Sequence, residues 1–260
     1  MTYENVLLEK EGTIAVLTVN RPKALNALNS ATLLDIQAAV ADVAADDNIY
    51  VLIITGSGEK AFVAGADISE MKDFNAMGGR AFGKLGNDIF RAIELMEKPV
   101  IAAINGFALG GGCELAMSCD IRLASENARF GQPESGLGIT PGFGGTQRLP
   151  RLIGEGRAKE LIYAANNIKA DEAYRIGLVN HIYPLESLMA EAKKLAAKIA
   201  GNAPVAVRLC KSAIGKGLQT DIDSGTTIES DAFGLCFATV DQKEGMGAFV
   251  EKRAAAFVGK

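Results

Sequence analysis

Ten of the chain's 29 glycines fall in the forty residues from Gly106 to Gly145, which leaves little room there for long helices or strands. Glycine is weak material for either, and it is kept where a backbone must bend tightly or approach a ligand closely. Two carboxyl groups stand in this stretch: Glu114 follows Gly110-Gly111-Gly112-Cys113, and Glu134 follows Phe130-Gly131-Gln132-Pro133. An isolated pair of this kind reads as two surface glutamates. Set among backbone suited to close approach, they read better as groups that divide acid and base roles in one site.

The rest of the composition narrows the chemistry. The chain has 260 residues, 48% hydrophobic and 22% charged, enough for one large domain with a substantial core. A net charge of −4, with no run of five or six like charges, argues against nucleic acid or an anionic membrane as the main partner. The longest apolar stretch, Val100 to Leu109, is interrupted by Asn105-Gly106 and is too short to span a bilayer. The opening Met1-Thr2-Tyr3-Glu4-Asn5 has no secretory character. Cys113, Cys119, Cys210 and Cys236 form no CxxC pair, so the expectation is a soluble cytoplasmic protein with reduced thiols. His181 is the one histidine. It excludes zinc sites that need two or more histidines, and its place in a short strand pattern points to a structural role. Acid–base chemistry is left mostly to carboxylates.

Patterning predicts an α/β chain. Val6–Glu9 and Ile14–Val19 read as a hairpin, Val51–Thr55 and Val100–Ile104 as buried strands, and Ile121–Ala124 and Ala128–Phe130 as further strands. Helices are predicted from Asn29 or Ser30 to about Ala45, over Arg80–Met96, and over Glu114–Cys119. Beyond Gly145 strand signals almost vanish and six helices are predicted, ending with Asp241–Phe249. The expected division is an α/β core over 1–200 and a helical region over 201–260. No internal repeat is clear enough to name.

Two kinds of glycine motif have competing readings. Gly56-Ser57-Gly58-Glu59-Lys60-Ala61 fits a loose dinucleotide pattern, but the helix such a fingerprint needs does not follow it. A phosphate-gripping G-x-x-x-x-G-K-[ST] is absent. The segments Ala64-Gly65-Ala66-Asp67-Ile68-Ser69 and Gly110-Gly111-Gly112 both leave backbone N–H groups accessible. Two such groups converging on one oxygen would form an oxyanion hole. The same glycines would also serve as ordinary turns, and spacing does not decide between these readings.

The run Asn105-Gly106-Phe107-Ala108-Leu109-Gly110-Gly111-Gly112-Cys113-Glu114-Leu115-Ala116 resembles the crotonase (enoyl-CoA hydratase) family. So do Phe130–Glu134, Pro141–Leu149, Asn20–Leu28, Ala64–Ile68 and Ala248–Arg253, in order along nearly the whole chain. The resemblance is nearest to bacterial short-chain 3-hydroxybutyryl-CoA dehydratases. It implies a spiral of ββα units with a C-terminal helical trimerisation region, assembled as a homo-hexamer of two trimers. It further implies that Glu114 and Glu134 are the catalytic carboxylates and that the N–H groups of Ala66 and Gly111 hold the thioester oxygen. Ala24, Ala64, Gly65, Asp67 and Ile68 would then line the CoA moiety, with Lys252 of an adjacent subunit reaching its phosphates. The acyl tail is expected along Met71–Phe82, where Met71, Phe74, Met77 and Phe82 would crowd longer chains. No metal or redox cofactor is implied, CoA being part of the substrate. Glu114, in the first turn of its helix, should lean toward the ionised form through the helix dipole.

Three other readings stay open beside the hydratase: a thioester hydrolase or an enoyl-CoA isomerase sharing the oxyanion hole, and an RNA-binding member of the superfamily. The last would need a strongly basic face, and Lys193, Lys194 and Lys198 offer a modest one.

Overall fold

A computed structural model describes residues 3–260. The chain enters through an antiparallel hairpin, β1 (Val6–Glu11) and β2 (Ile14–Val19), and helix α1 (Ser30–Ala45) follows. The Asn29 side chain caps α1 by accepting the Thr32 N–H. Then come β3 (Val51–Gly56), β4 (Ala61–Val63), α2 (Ile68–Met71), α3 (Ala76–Leu95), β5 (Val100–Ile104), β6 (Phe107–Leu109) and α4 (Gly111–Ser118). Next are β7 (Ile121–Ser125), β8 (Arg129–Gly131), a 3₁₀ turn over Pro133–Leu137, α5 (Gly145–Ile153) and α6 (Glu155–Ala164). The chain closes with β9 (Asn167–Lys169), α7 (Ala170–Arg175), β10 (His181–Tyr183) and α8 (Leu185–Ala200). The last helices are α9 (Pro204–Gly217), α10 (Ile222–Cys236) and α11 (Val240–Glu251).

The strands sort into two sheets by a simple rule. One six-stranded sheet has the order β1-β2-β3-β5-β7-β10, and a second, four-stranded sheet has the order β4-β6-β8-β9. In each of the pairs β3/β4, β5/β6 and β7/β8 the first strand joins the large sheet and the second joins the small one, before a helical segment returns. That is a spiral of three ββα turns. Buried Asn105 ties one crossing in place: its Nδ2 donates to the carbonyls of Gly56 and Gly58, and its Oδ1 accepts the Gly56 N–H.

β3 and β5 are buried along their whole length because the large sheet is covered on both faces. Ala15, Leu17, Leu52, Ile54, Ala102 and Ile104 enter the main core with α1, α3 and the small sheet. Their alternates Val16, Val51, Ile53, Ile101 and Ala103 meet Leu188, Ala192 and Ala196 of α8. By contrast α10 buries no residue in the protomer.

The segment after Gly56-Ser57-Gly58 forms a strand, β4, in place of the helix a dinucleotide fingerprint requires. Helix α3 starts earlier than its pattern predicts, at Ala76, because Asn75 accepts the Gly78 N–H and opens a helix through two glycines. On α8, Lys193 pairs with Glu11 and Lys194 with Glu191, which weakens the basic face an RNA reading would need.

Candidate active site

Glu114 lies in the first turn of α4 and is 1% exposed. Its Oε1 accepts two backbone N–H groups from a distant loop, Phe143 at 2.9 Å and Gly145 at 2.6 Å. Gly145 is the first residue of α5, so this carboxylate faces the positive end of α5. The helix dipole of α5 therefore acts on Glu114 in addition to that of α4, which carries it. It does not prevail alone: burial pushes the carboxyl up to about 7, with the nearby Glu134 charge adding to the rise, against the Gly145 and Phe143 bonds and the Arg148 guanidinium.

Glu134 sits in the 3₁₀ turn after β8, 8% exposed, and burial pushes it up to about 7 as well. Its Oε1 lies 2.7 Å from where a Cβ on Gly110 would stand, so a side chain at Gly110 would displace it. Gly110 itself has φ 48°, a left-handed conformation that favours glycine. Fully buried Gln132 stands beside Glu134. Turned with its nitrogen toward Glu134, the amide donates to Oε1 at 3.2 Å and Oε2 at 3.3 Å. The opposite orientation would set its oxygen against a carboxylate and leave a single 3.4 Å bond to the Gly110 carbonyl. A Cβ on Gly145 would press on both the Gln132 amide and Glu114 Oε1, at 2.6 and 2.9 Å, which places these groups side by side.

The glycine segments around Ala66 and Gly111 meet here. A Cβ on Gly112 would collide with the Val63 carbonyl, and one on Gly111 would come within 3.5 Å of the Ala66 nitrogen. Ala66 N–H and Gly111 N–H lie next to one another, and among the described residues neither donates to a protein acceptor. Free, adjacent backbone donors beside two buried carboxyls are the arrangement an oxyanion site needs.

The other candidates fall into two places. Ala24 ends a short 3₁₀ turn, and the residues after it run alongside 64–67: Ala64 N–H donates to Leu25 O, Leu28 N–H to Gly65 O, and Asp67 N–H to Leu28 O. Thus Ala24, Ala64, Gly65, Asp67 and Ile68 share one edge of the site. Asp67 caps α2 through Ser69 and pairs with Arg21 at 3.0 Å, and Ile68 is exposed beside it. Lys252 lies elsewhere, at the exposed left-handed end of α11. Along the acyl-tail segment, Phe82 is buried and packs edge-to-face on both Phe74 and Phe143, whereas Met77 is exposed.

Sequence reasoning named neither Gln132 nor Phe143 as a site residue, though both stand inside the quoted motifs. The available signal for Phe143 was Gly86, a glycine on the apolar face of α3, where a Cβ would collide with the Phe143 ring.

A family model described as enoyl-CoA hydratase/isomerase matches residues 9–260. The chain belongs to the enoyl-CoA hydratase/isomerase family. Among relatives in this family, it is 64% identical to the short-chain-enoyl-CoA hydratase of Clostridium acetobutylicum over 253 residues, 97% of each chain. It is also 64% identical to the crotonyl-CoA hydratase of Syntrophomonas wolfei over 260 residues, the whole of both. The crystal structure of an enoyl-CoA hydratase from Bacillus anthracis superposes with a TM-score of 0.96 at 43% identity, covering 99% of this chain and 100% of that one. No helix among the described residues is long and apolar enough to cross a membrane.

Proposed function

We propose that this chain is a hydro-lyase that adds water reversibly across the double bond of short-chain 2-enoyl-CoA thioesters, with crotonyl-CoA and 3-hydroxybutyryl-CoA as its substrate pair. The observation that carries the reading is the meeting of two buried carboxyls, both pushed up to about 7, with two unpartnered N–H groups at Ala66 and Gly111. The thioester oxygen accepts from both N–H groups. Water adds its oxygen to C3, and the negative charge that develops spreads onto that thioester oxygen, where each donor is worth about 2.7–4 kcal/mol. One carboxylate takes the proton from water and one carboxylic acid gives a proton to C2, so the pair ends with its protons exchanged. A pKa near neutrality suits both tasks.

The CoA moiety lies along Ala24, Ala64, Gly65, Asp67 and Ile68, with Lys252 of a neighbouring subunit on its phosphates. The reaction needs no metal or redox cofactor, since CoA is part of the substrate. The active form is a cytoplasmic homo-hexamer of two trimers. Its support is the apolar surface left open on and beside the last three helices, where Phe249 is 85%, Leu218 84% and Phe233 65% exposed. Loss of crotonyl-CoA's enoyl-thioester absorbance on adding the protein tests the reading. Release of free CoA thiol instead would favour a hydrolase.

A further inference from the structure

Glu114 is held by the loop from Pro141 to Gly145, and that loop is held in turn by one face of α3. The peptide whose N–H (Phe143) reaches Glu114 has its carbonyl (Gly142) bonded by Asn87 Nδ2 at 2.7 Å; the same Nδ2 also donates to the Gly83 carbonyl at 3.0 Å. One peptide further on, the Phe143 carbonyl accepts from Arg148 Nη1 at 2.6 Å. Arg148 is fixed by a two-point pair with Glu94, Nε to Oε1 at 2.6 Å and Nη2 to Oε2 at 3.1 Å, and its side chain is only 12% exposed. Asn87 and Glu94 are seven residues apart on α3, two turns along the same face.

A donor on a peptide carbonyl polarises that peptide's own N–H, so Asn87 strengthens the bond that ends on Glu114. The Arg148 fork fixes the next peptide and sets a guanidinium charge near the carboxylate. We propose that Asn87, Glu94 and Arg148 are positioning residues that clamp the 141–145 loop onto Glu114 and keep it the ionised member of the carboxyl pair, an inference that rests on the hydratase reading above. Glu134 has no such clamp; besides its own backbone N–H, its protein donor is the neutral Gln132 amide. The groups facing Glu114 are few. Glu134 opposes its ionisation, Arg148 from α5 favours it, and Cys113, its neighbour in α4, is pushed up to about 12 by burial and carries no charge near neutrality. Burial works against Glu94 too, but Arg148 and Arg91 hold its carboxyl below the usual carboxylate range.

The test uses the full-length assembled enzyme and crotonyl-CoA. Asn87→Ala deletes the Gly142 partner and leaves every group that meets substrate. The acid limb of kcat should move up by about one pH unit, so that kcat at about pH 6 falls roughly tenfold and recovers at about pH 9. KM should change far less than kcat. Arg148→Met should move the limb further, and Arg148→Lys should restore part of it by returning the charge. Sedimentation and circular dichroism confirm that the variants are assembled and folded; if Arg148→Met does not fold, Asn87→Ala decides alone. A folded Asn87→Ala enzyme with the wild-type acid limb overturns the clamp. So does an equal loss of kcat at every pH, which is the signature of general loosening. Wild-type protein that fails to hydrate crotonyl-CoA would overturn the hydratase reading instead, before any variant is made.

Discussion

Replacing Glu114 by glutamine should stabilise the protein at pH 8 while disabling it. A carboxyl with an ordinary pKa of 4.5 in the unfolded chain is pushed up to about 7 in the fold. Between those values the folded state keeps a proton that the unfolded state has released, so wild-type stability falls as pH rises through that window. It stays low above pH 7 because a charge must then be held in a buried place. At 1.36 kcal/mol per unit, the penalty reaches about 3 kcal/mol at pH 8 and nearly vanishes at pH 4. Glutamine cannot ionise, and its oxygen can still accept the Phe143 and Gly145 N–H groups that now bind Oε1. Urea unfolding of wild type and Glu114→Gln at one fixed protomer concentration, at both pH values, reads the difference directly. The variant should gain about 3 kcal/mol on wild type in going from pH 4 to pH 8. Since the Glu134 charge contributes to the rise, the gain should shrink in a Glu134→Gln background. A variant-minus-wild-type difference that is the same at both pH values would refute the reasoning.

Gly111→Pro removes one of the two free N–H groups, and kcat should fall about 10²–10³-fold while CoA still binds; turnover near wild type in the folded variant removes Gly111 from the oxyanion role. Phe143→Ala opens the space that Gly86 and Phe82 now give to a ring. Each methylene admitted should be worth ~1–3 kcal/mol, so kcat/KM for C8 relative to C4 should rise at least about tenfold. An unchanged chain-length profile would place the end of the acyl pocket elsewhere. Sedimentation at micromolar concentration should show a hexamer, and Phe249→Asp with Phe233→Asp should break it into smaller species; a wild-type monomer defeats the assembly.

Much of the core was legible because its signals are local. Val51–Ile54 and Val100–Ile104 are apolar at every position, the pattern of strands covered on both faces, and Asn29 advertises its helix through a cap three residues away. Patterning alone did not show the spiral, which the family resemblance implied. Of its second strands only β8 was read, as Ala128–Phe130; β4 and β6 are three residues each and bordered by glycines or turns, too short to show a period. Helix α5 escaped because it opens on glycines and contains Pro150. At the site, Glu114 and Glu134 stood out through their glycine surroundings. The partners that tune Glu114 did not, because Phe143 and Gly145 are 29 and 31 residues further along, and nothing in the sequence announces that α5 points at α4.

The most direct test of the central claim follows crotonyl-CoA at its enoyl-thioester band with wild type, Glu114→Gln and Glu134→Gln side by side. Wild type should show rapid loss of absorbance with no release of free CoA thiol, and each variant should be about 10²–10⁴-fold slower with substrate still bound. Near-wild-type turnover in either folded variant, or thiol release in step with the absorbance change, would contradict that claim.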